Sequence, residues 1–289
     1  MDWQYTLIET YVFVCDEAEL NAVRFSNNHR PRFSDEEVIT IYLFGIMQGH
    51  YQIKAIHTYT RNHLSTWFPH LPSYQTYVDR LGRLGVVLMM LTERILSFGK
   101  CVDKSTKLVD SFPVVMARGR RGDRARVAPV LADKGHCASK NMYFYGVKVH
   151  IMANRRSGTM PLPEAIGISK ASKHDLTVVR PLLKRLHSCR IFGDKIYADR
   201  GLKEQLMQEQ SVELHTPFKR KMKQAFLRAD QQLFSELVSR VRQPIESLFN
   251  WIQEKTGIAS ASKVRSANGL IVHIFGKMAA AMLLLVFNP

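Results

Sequence analysis

The first hundred residues carry the apolar spacing of amphipathic helices separated by short polar turns. Ser34 and Glu37 match a capping box, in which each side chain accepts a hydrogen bond from the other residue's backbone N–H group. The apolar run VITIYLFGIM follows, and helical spacing returns over residues 52–64. Ser73 can cap a further stretch, residues 73–96, as one helix or two. The pattern predicts a helical domain that contains a possible helix-turn-helix unit.

From about residue 105 the pattern changes to short apolar or alternating segments, which are typical of β-strands. Three strands come first, and strands then alternate with helical segments, so we expect a mixed α/β sheet flanked by helices. The basic residues between the first two strands predict a loop or a small insertion. The predicted strands cover residues 107–112, 142–153, 161–172, 189–194 and 212–218, and the predicted helices cover 175–186, 200–210 and 226–255.

The chain closes with an apolar helical segment over residues 267–287. Its longest apolar run, Met278 to Phe287, is shorter than the roughly 20 residues that span a bilayer, so we expect a buried helix and no membrane partner. The pattern therefore divides the chain into a helical domain at 1–100, an α/β domain at 101–262, and a C-terminal helix at 263–289 that packs on the α/β domain.

Positive charge is concentrated in the later part of the chain. The 289 residues include 41 Lys or Arg and 25 Asp or Glu, which gives a formal net charge of +16. Residues 1–100 carry only nine of these basic residues and ten of the acidic ones. Such an excess favours a polyanionic partner, first of all nucleic acid. The four cysteines form no CxxC pair, and this pattern favours a reducing cytosol.

Three acidic residues stand out against this basic background. Asp110 ends the first predicted strand, Asp194 ends the fourth, and Glu246 lies beside an apolar helical stripe. Ligands collect at strand ends in α/β sheets, and three converging carboxylates can hold two hard divalent cations about 3.5–4 Å apart. Carboxylate oxygens suit Mg²⁺ or Mn²⁺. Each aspartate taken singly could equally be a strand-end cap, and Asp175 is a reserve ligand or a helix N-cap.

Four segments resemble the DDE transposases of bacterial insertion sequences: DSFPV (110–114), YFYGVKVH (143–150), GDKIYADRG (193–201) and RQPIESLFNWI (242–252). The segment FPHLPSYQTYVDRL (68–81) resembles the insertion sequence 982 family. The resemblance implies a ribonuclease H-like catalytic domain. It also implies that Asp110, Asp194 and Glu246 are the catalytic, metal-binding triad for two Mg²⁺ or Mn²⁺ ions.

The resemblance implies a transposase that binds the terminal inverted repeats of its element, cleaves the 3′ ends and joins them to target DNA. Its partners would be double-stranded DNA and a second copy of the chain in a synaptic homodimer, in the bacterial cytoplasm at the nucleoid. Two alternatives remain: a metal-dependent nuclease of the same fold, and a non-catalytic DNA-binding protein derived from a transposase. The resemblance also implies that Arg242, one turn before Glu246, contacts a phosphate or the end of the DNA.

Other basic and polar residues are candidate DNA contacts by position and charge. Each also has a structural interpretation, as a solvated loop residue, a buried hydrogen-bonded side chain or a residue packed in the helical domain. Gln75 and Arg80 lie with Tyr74 and Tyr77 on the segment after Ser73, where a recognition helix would present side chains to base edges. The remaining candidates are Lys148, His150, Arg118, Arg120, Arg121, Lys219, Arg220 and Lys221.

Overall fold

The computed structural model describes two compact units. One comprises the described residues of 1–98, 126–130 and 252–289, and the other those of 99–125 and 131–251. The described residues are 2–18, 31–98, 103–137, 141–220 and 226–287, except for the side chain of Phe287. The first unit is helical, and the second holds all the strands that the structure describes.

The first unit begins with five helices: α1 (Trp3–Glu17), α2 (Asp35–Met47), α3 (Ile53–His63), α4 (Tyr74–Arg83) and α5 (Gly85–Ser97). The predicted capping box at the start of α2 is present, because the Ser34 and Glu37 side chains both accept from the partner's backbone N–H. Residues 64–73 connect α3 to α4. This connection is longer than the three- to four-residue turn of a helix-turn-helix, and the possible helix-turn-helix unit in this domain stays a prediction.

The second unit is a mixed sheet flanked by helices, which confirms the fold class that the sequence predicts. Strand β3 pairs antiparallel with β1 along one edge and with β2 and then β4 along the other. Strands β1, β5 and β6 continue the sheet in parallel. The strands are β1 (Thr106–Arg118), β2 (Asp133–Cys137), β3 (Met142–Asn154), β4 (Leu162–Lys170), β5 (Arg190–Gly193) and β6 (Glu213–His215). The helices are α6 (Gly119–Arg124), α7 (Asp175–Leu183), α8 (Arg200–Gln210) and α9 (Ala229–Thr256), of which residues 252–256 belong to the first unit.

Two strand predictions need correction. The basic stretch after β1 is not simply a loop, since it contains α6 and β2. Strand β1 also continues past residue 112 as far as Arg118, because β3 pairs with it throughout. Pro113 is tolerated there because β5 ends at Gly193, opposite Val109, so the later part of β1 has no β5 neighbour.

The C-terminal segment belongs to the helical unit. The sequence pattern predicted that it packs on the α/β domain, and that prediction is wrong. It forms α10 (Ala267–Ile271), a π-helical turn (Val272–Gly276) and α11 (Lys277–Phe287), and α11 packs against α2 and α5. Gly276 permits this approach, because a Cβ atom there would lie 2.3 Å from the Tyr42 ring. Residues Ala267–Val286 are long and apolar enough to cross a membrane, yet 78% of the apolar window is buried within the protein, as in a core helix.

Candidate active site

Asp110 and Asp194 lie at the same level of neighbouring strands. The last parallel pair between β1 and β5 joins Val109 to Gly193, and each aspartate is the next residue in its chain. Asp110 therefore lies inside β1, not at its end as predicted, but it lies where β5 stops. The two aspartates therefore occupy neighbouring backbone positions where β5 ends.

The backbone around Asp194 turns sharply as it leaves the sheet. Asp194 caps a 3₁₀ turn over Lys195–Tyr197, and one carboxylate oxygen accepts a 2.7 Å hydrogen bond from the Lys195 N–H group. Gly193 is needed just before it, because a Cβ atom there would lie 2.9 Å from the Tyr197 ring and 3.0 Å from a Val109 methyl group. This tight packing fixes the backbone at the point where the chain leaves the sheet, and therefore also the position of Asp194.

Helix α9 positions Glu246 on the face of the sheet that carries Asp110. The apolar side of the helix buries Ile245, Leu248 and Phe249, and the Phe249 ring lies 4.9 Å from that of Phe112. Phe112 and Asp110 are two residues apart on β1 and so share a face. Pro244 lies inside the continuous 28-residue helix, so the predicted segment is not split there.

Arg242 bridges two of the three carboxylates. One guanidinium nitrogen, Nη1, lies 2.6 Å from Asp110 Oδ2, and the other, Nη2, lies 2.6 Å from Glu246 Oε1. The Arg242 side chain is only 15% exposed, against 19% for Asp110 and 54% for Glu246. Its Nε–H is buried without an acceptor among the described residues. A cation therefore already lies between Asp110 and Glu246.

The carboxylates act on one another electrostatically. The pKa of Asp110 is raised to about 6, chiefly by burial and to a smaller extent by the charges of Asp194 and Glu246. The Arg242 guanidinium and the Ser111 N–H group oppose this rise. The ring of Tyr197 is fully buried, and burial together with the charges of Asp110, Asp175 and Asp194 raises its pKa far above the usual value. Its hydroxyl has no hydrogen-bond partner among the described residues.

Tyr197 is the residue of this site that the sequence reasoning missed. The hydroxyl is a buried polar group among carboxylates, available to donate a hydrogen bond. The only signal in the sequence was its position three residues after Asp194, within the segment GDKIYADRG. Nothing in that spacing indicates that the side chain turns back beneath the site.

A buried ion pair lies beside the site. Asp175, the first residue of α7, accepts a 2.7 Å hydrogen bond from Ser111 Oγ and forms a 2.7 Å ion pair with Lys148. It is not the N-cap, a position that His174 occupies. His150 is 2% exposed, its Nε2 lies 2.8 Å from Ser169 Oγ, and burial lowers its pKa to about 4. Lys148 is held by Asp175 and His150 is buried, so their prediction as DNA contacts is withdrawn.

The other basic candidates of this unit are exposed. Arg118 ends β1, while Arg120 and Arg121 lie in α6, and all three are exposed to solvent. Lys219 and Arg220 follow β6 and are also exposed, whereas Lys221 lies outside the described residues. These positions suit contact with a polyanion.

Two of the four N-terminal candidates face the interior. Tyr77 is fully buried and donates to the Val38 carbonyl at 3.2 Å, and Arg80 donates to Asp35 and to the Phe33 carbonyl. These two residues hold α4 against the start of α2, so Arg80 is withdrawn as a base contact. Tyr74 is 40% exposed, and Gln75 is exposed with an i,i+4 hydrogen bond to Asp79.

The donor set fits a hard divalent metal ion. Arg242 joins Asp110 to Glu246, the charge of Asp194 acts on Asp110, and carboxylate oxygen is the ligand that Mg²⁺ and Mn²⁺ prefer. Within the part of the chain that the structure describes, no three or more His, Cys, Asp or Glu side chains are yet close enough to hold an ion. The guanidinium of Arg242 lies between Asp110 and Glu246 and neutralises charge on both.

Comparison with known protein families gives a match over the α/β region. The family model described as "Transposase DDE domain" matches residues 99–266, more than half of the chain. The matched region contains Asp110, Asp194 and Glu246. No curated protein and no solved structure shows significant similarity to the chain.

Proposed function

The chain belongs to the transposases with a DDE domain, and from that premise we propose that it cleaves the 3′ ends of its own element and joins them to target DNA. The single observation that carries the proposal is the placement of three acidic residues: Asp110 of β1 lies level with Asp194 after β5, and Arg242 joins it to Glu246 of α9. These residues belong to a strongly basic α/β unit, and its positive charge favours binding of a DNA backbone.

We assign Asp110, Asp194 and Glu246 as the residues that hold two Mg²⁺ or Mn²⁺ ions. Such ions supply activation of the attacking oxygen and stabilisation of the leaving oxygen in an in-line phosphoryl transfer. The protein supplies rigid carboxylate positions, since β1 and α9 are packed through Phe112 and Phe249. Tyr197 Oη adds a buried hydroxyl that can donate a hydrogen bond to one of these carboxylates.

Arg242 is proposed to have two partners in succession. In the metal-free protein its guanidinium neutralises Asp110 and Glu246. Planar guanidinium groups bind phosphate as readily as carboxylate, so its release from this pair would offer a donor to DNA next to the carboxylates. The DNA contact that the resemblance assigns to Arg242 and the ion pairs in the structure are therefore compatible.

The DNA backbone is proposed to lie along the exposed basic residues of the α/β unit, including Arg118, Arg120, Arg121, Lys219 and Arg220. Lysine and arginine contacts with phosphate give affinity without sequence preference. We assign recognition of the terminal repeats to the helical N-terminal domain, where Gln75 is exposed on α4. A synaptic homodimer would bring two ends together, and the bacterial cytoplasm at the nucleoid is the proposed location.

The test is an incubation of the protein with Mg²⁺ and duplex DNA that carries the ends of the encoding element, followed by mapping of all products. Cut 3′ ends that reappear joined to a second DNA support the transposase. Cutting without joining would indicate the metal-dependent nuclease of the same fold. Binding without cutting would indicate the non-catalytic derivative, against which the complete acidic trio argues.

A further inference from the structure

A cavity of about 560 Å³ opens between α3 and α4 in the helical unit. Its lining includes Lys54, His57, Thr58 and Arg61 of α3 and Ser73 and Tyr74 at the start of α4. The volume falls within the roughly 300–1,000 Å³ of sites that bind small organic groups. We call it the α3–α4 cavity.

The α3 side of the cavity is cationic. Lys54, His57, Thr58 and Arg61 recur at intervals of three and four residues, so they line one face of the helix. Lys54 and Arg61 are exposed, and neither forms an ion pair with a described residue. None of the cavity-lining residues is acidic. This local excess contrasts with the near-neutral charge of residues 1–100 and favours an anionic occupant.

The α4 side of the cavity carries the aromatic ring of Tyr74, and His57 of α3 packs against that ring. His57 Nε2 lies 2.9 Å from the Pro72 carbonyl oxygen, which can only accept, so this nitrogen carries the proton. The His57 ring also meets the Tyr74 ring edge-to-face at 5.6 Å. Phe68 adds a buried ring to the lining. The Tyr74 ring is therefore fixed at the cavity although it is 40% exposed.

The start of α4 adds a weaker attraction for an anion. Ser73 caps the ten-residue helix by accepting a hydrogen bond from the Thr76 N–H group. The first N–H groups of a helix carry positive partial charge. Cations on α3, an aromatic ring and a helix N-terminus thus meet at one cavity.

We propose that the α3–α4 cavity binds the terminal nucleotide of the DNA end, with its phosphate at Lys54 and Arg61 and its base against Tyr74. This inference rests on the proposed function and adds a nucleotide subsite to it. Phosphate matches the helix N-terminus and these two cations, which have no ion-pair partner among the described residues, and the terminal base of a duplex has a flat face free to stack on an aromatic ring. A DNA strand is the occupant we expect, because the next residue after Tyr74 on α4 is Gln75, the exposed candidate for base contact.

The experiment measures the affinity of the full chain for duplex DNA carrying the element's end and for a scrambled duplex, over a range of salt concentrations. Lys54→Gln and Arg61→Gln should each reduce the slope of log affinity against log salt by about 0.9, because one phosphate contact is lost. Lys263→Gln removes an exposed cation of the same unit outside the cavity and should leave the slope for end DNA unchanged. Equal changes in all three variants would overturn the proposal.

The aromatic contact has its own pair of variants. Tyr74→Leu should weaken end-DNA binding by about 5- to 150-fold, whereas Tyr74→Phe, which keeps the ring, should retain it. A melting temperature within the range of the other variants shows that Tyr74→Leu still folds, and equal affinities for Tyr74→Leu and Tyr74→Phe would overturn the stacking contact. If the wild-type protein prefers end DNA while the cavity variants behave like it, only the cavity proposal fails. If the wild-type protein shows no preference for end DNA, the proposed recognition fails and takes this inference with it.

Discussion

Replacing Arg242 by glutamine tests whether its guanidinium stands in for a metal ion. The substitution keeps a side chain of polar character but removes the positive charge between Asp110 and Glu246. Removal of one partner from a buried ion pair costs about 3–5 kcal/mol. Arg242 and Asp110 retain 15% and 19% exposure, so we reduce this figure to about 2 kcal/mol. The 54% exposed Glu246 adds only about 0.3–0.5 kcal/mol.

In a chelator, Arg242→Gln should therefore melt about 4–8 °C below the wild type, since 1 kcal/mol shifts the melting temperature of a domain of this size by about 2–4 °C. The variant should bind Mg²⁺ or Mn²⁺ more tightly, because no guanidinium has to be displaced. The same 2 kcal/mol corresponds to a gain of about 30-fold in affinity. Differential scanning calorimetry and titration calorimetry measure the two effects.

Arg240→Gln is the matched control, because Arg240 is an exposed arginine of the same helix. It should change neither the melting temperature nor the metal affinity. The reasoning is refuted if Arg242→Gln melts like the wild type in chelator and binds the metal more weakly. That result would make Arg242 a support of the metal site instead of its competitor.

Three further predictions follow from the same geometry. Asp110→Asn, Asp194→Asn and Glu246→Gln should each abolish cleavage in a gel assay and leave DNA affinity within about twofold, since a neutral amide cannot replace a carboxylate shared by two ions; wild-type cleavage by any of them would remove that residue from the site. Because burial raises the pKa of Asp110 to about 6, above its ordinary 3.8, calorimetric metal affinity should fall as the pH drops through about 6, and a flat profile from pH 5 to 7.5 would contradict the assignment. Asp175→Asn should cost about 3 kcal/mol in urea unfolding, with partial recovery on adding Lys148→Met, whereas lost cleavage at unchanged stability would make Asp175 a ligand.

Local signals in the sequence predicted much of the secondary structure. The capping box at Ser34 and the helix over residues 200–210 were confirmed because caps and apolar spacing act within a few residues. Strand β2 was missed because its five residues, DKGHC, show little apolar alternation and pair with the edge of β3. The length of β1 likewise depends on β3 and β5, which come later in the chain.

The site shows the same division between local and tertiary information. The sequence singled out the three acidic residues, and their catalytic role stays a prediction. The sequence could not show that the Arg242 guanidinium lies between two of them. Arg242 reaches Asp110 across 132 residues of chain, and no local pattern encodes that contact. Arg80 was misassigned for the same reason, because its partner Asp35 lies 45 residues away.

The most direct test of the account is the location of Mn²⁺ by anomalous scattering in crystals of the full chain grown with the metal. The account predicts Mn²⁺ peaks coordinated by Asp110, Asp194 and Glu246, with the Arg242 guanidinium moved away from both carboxylates that it now bridges. Mn²⁺ bound elsewhere, or absent while Arg242 still joins Asp110 to Glu246, would contradict the assignment of these three residues as the metal site.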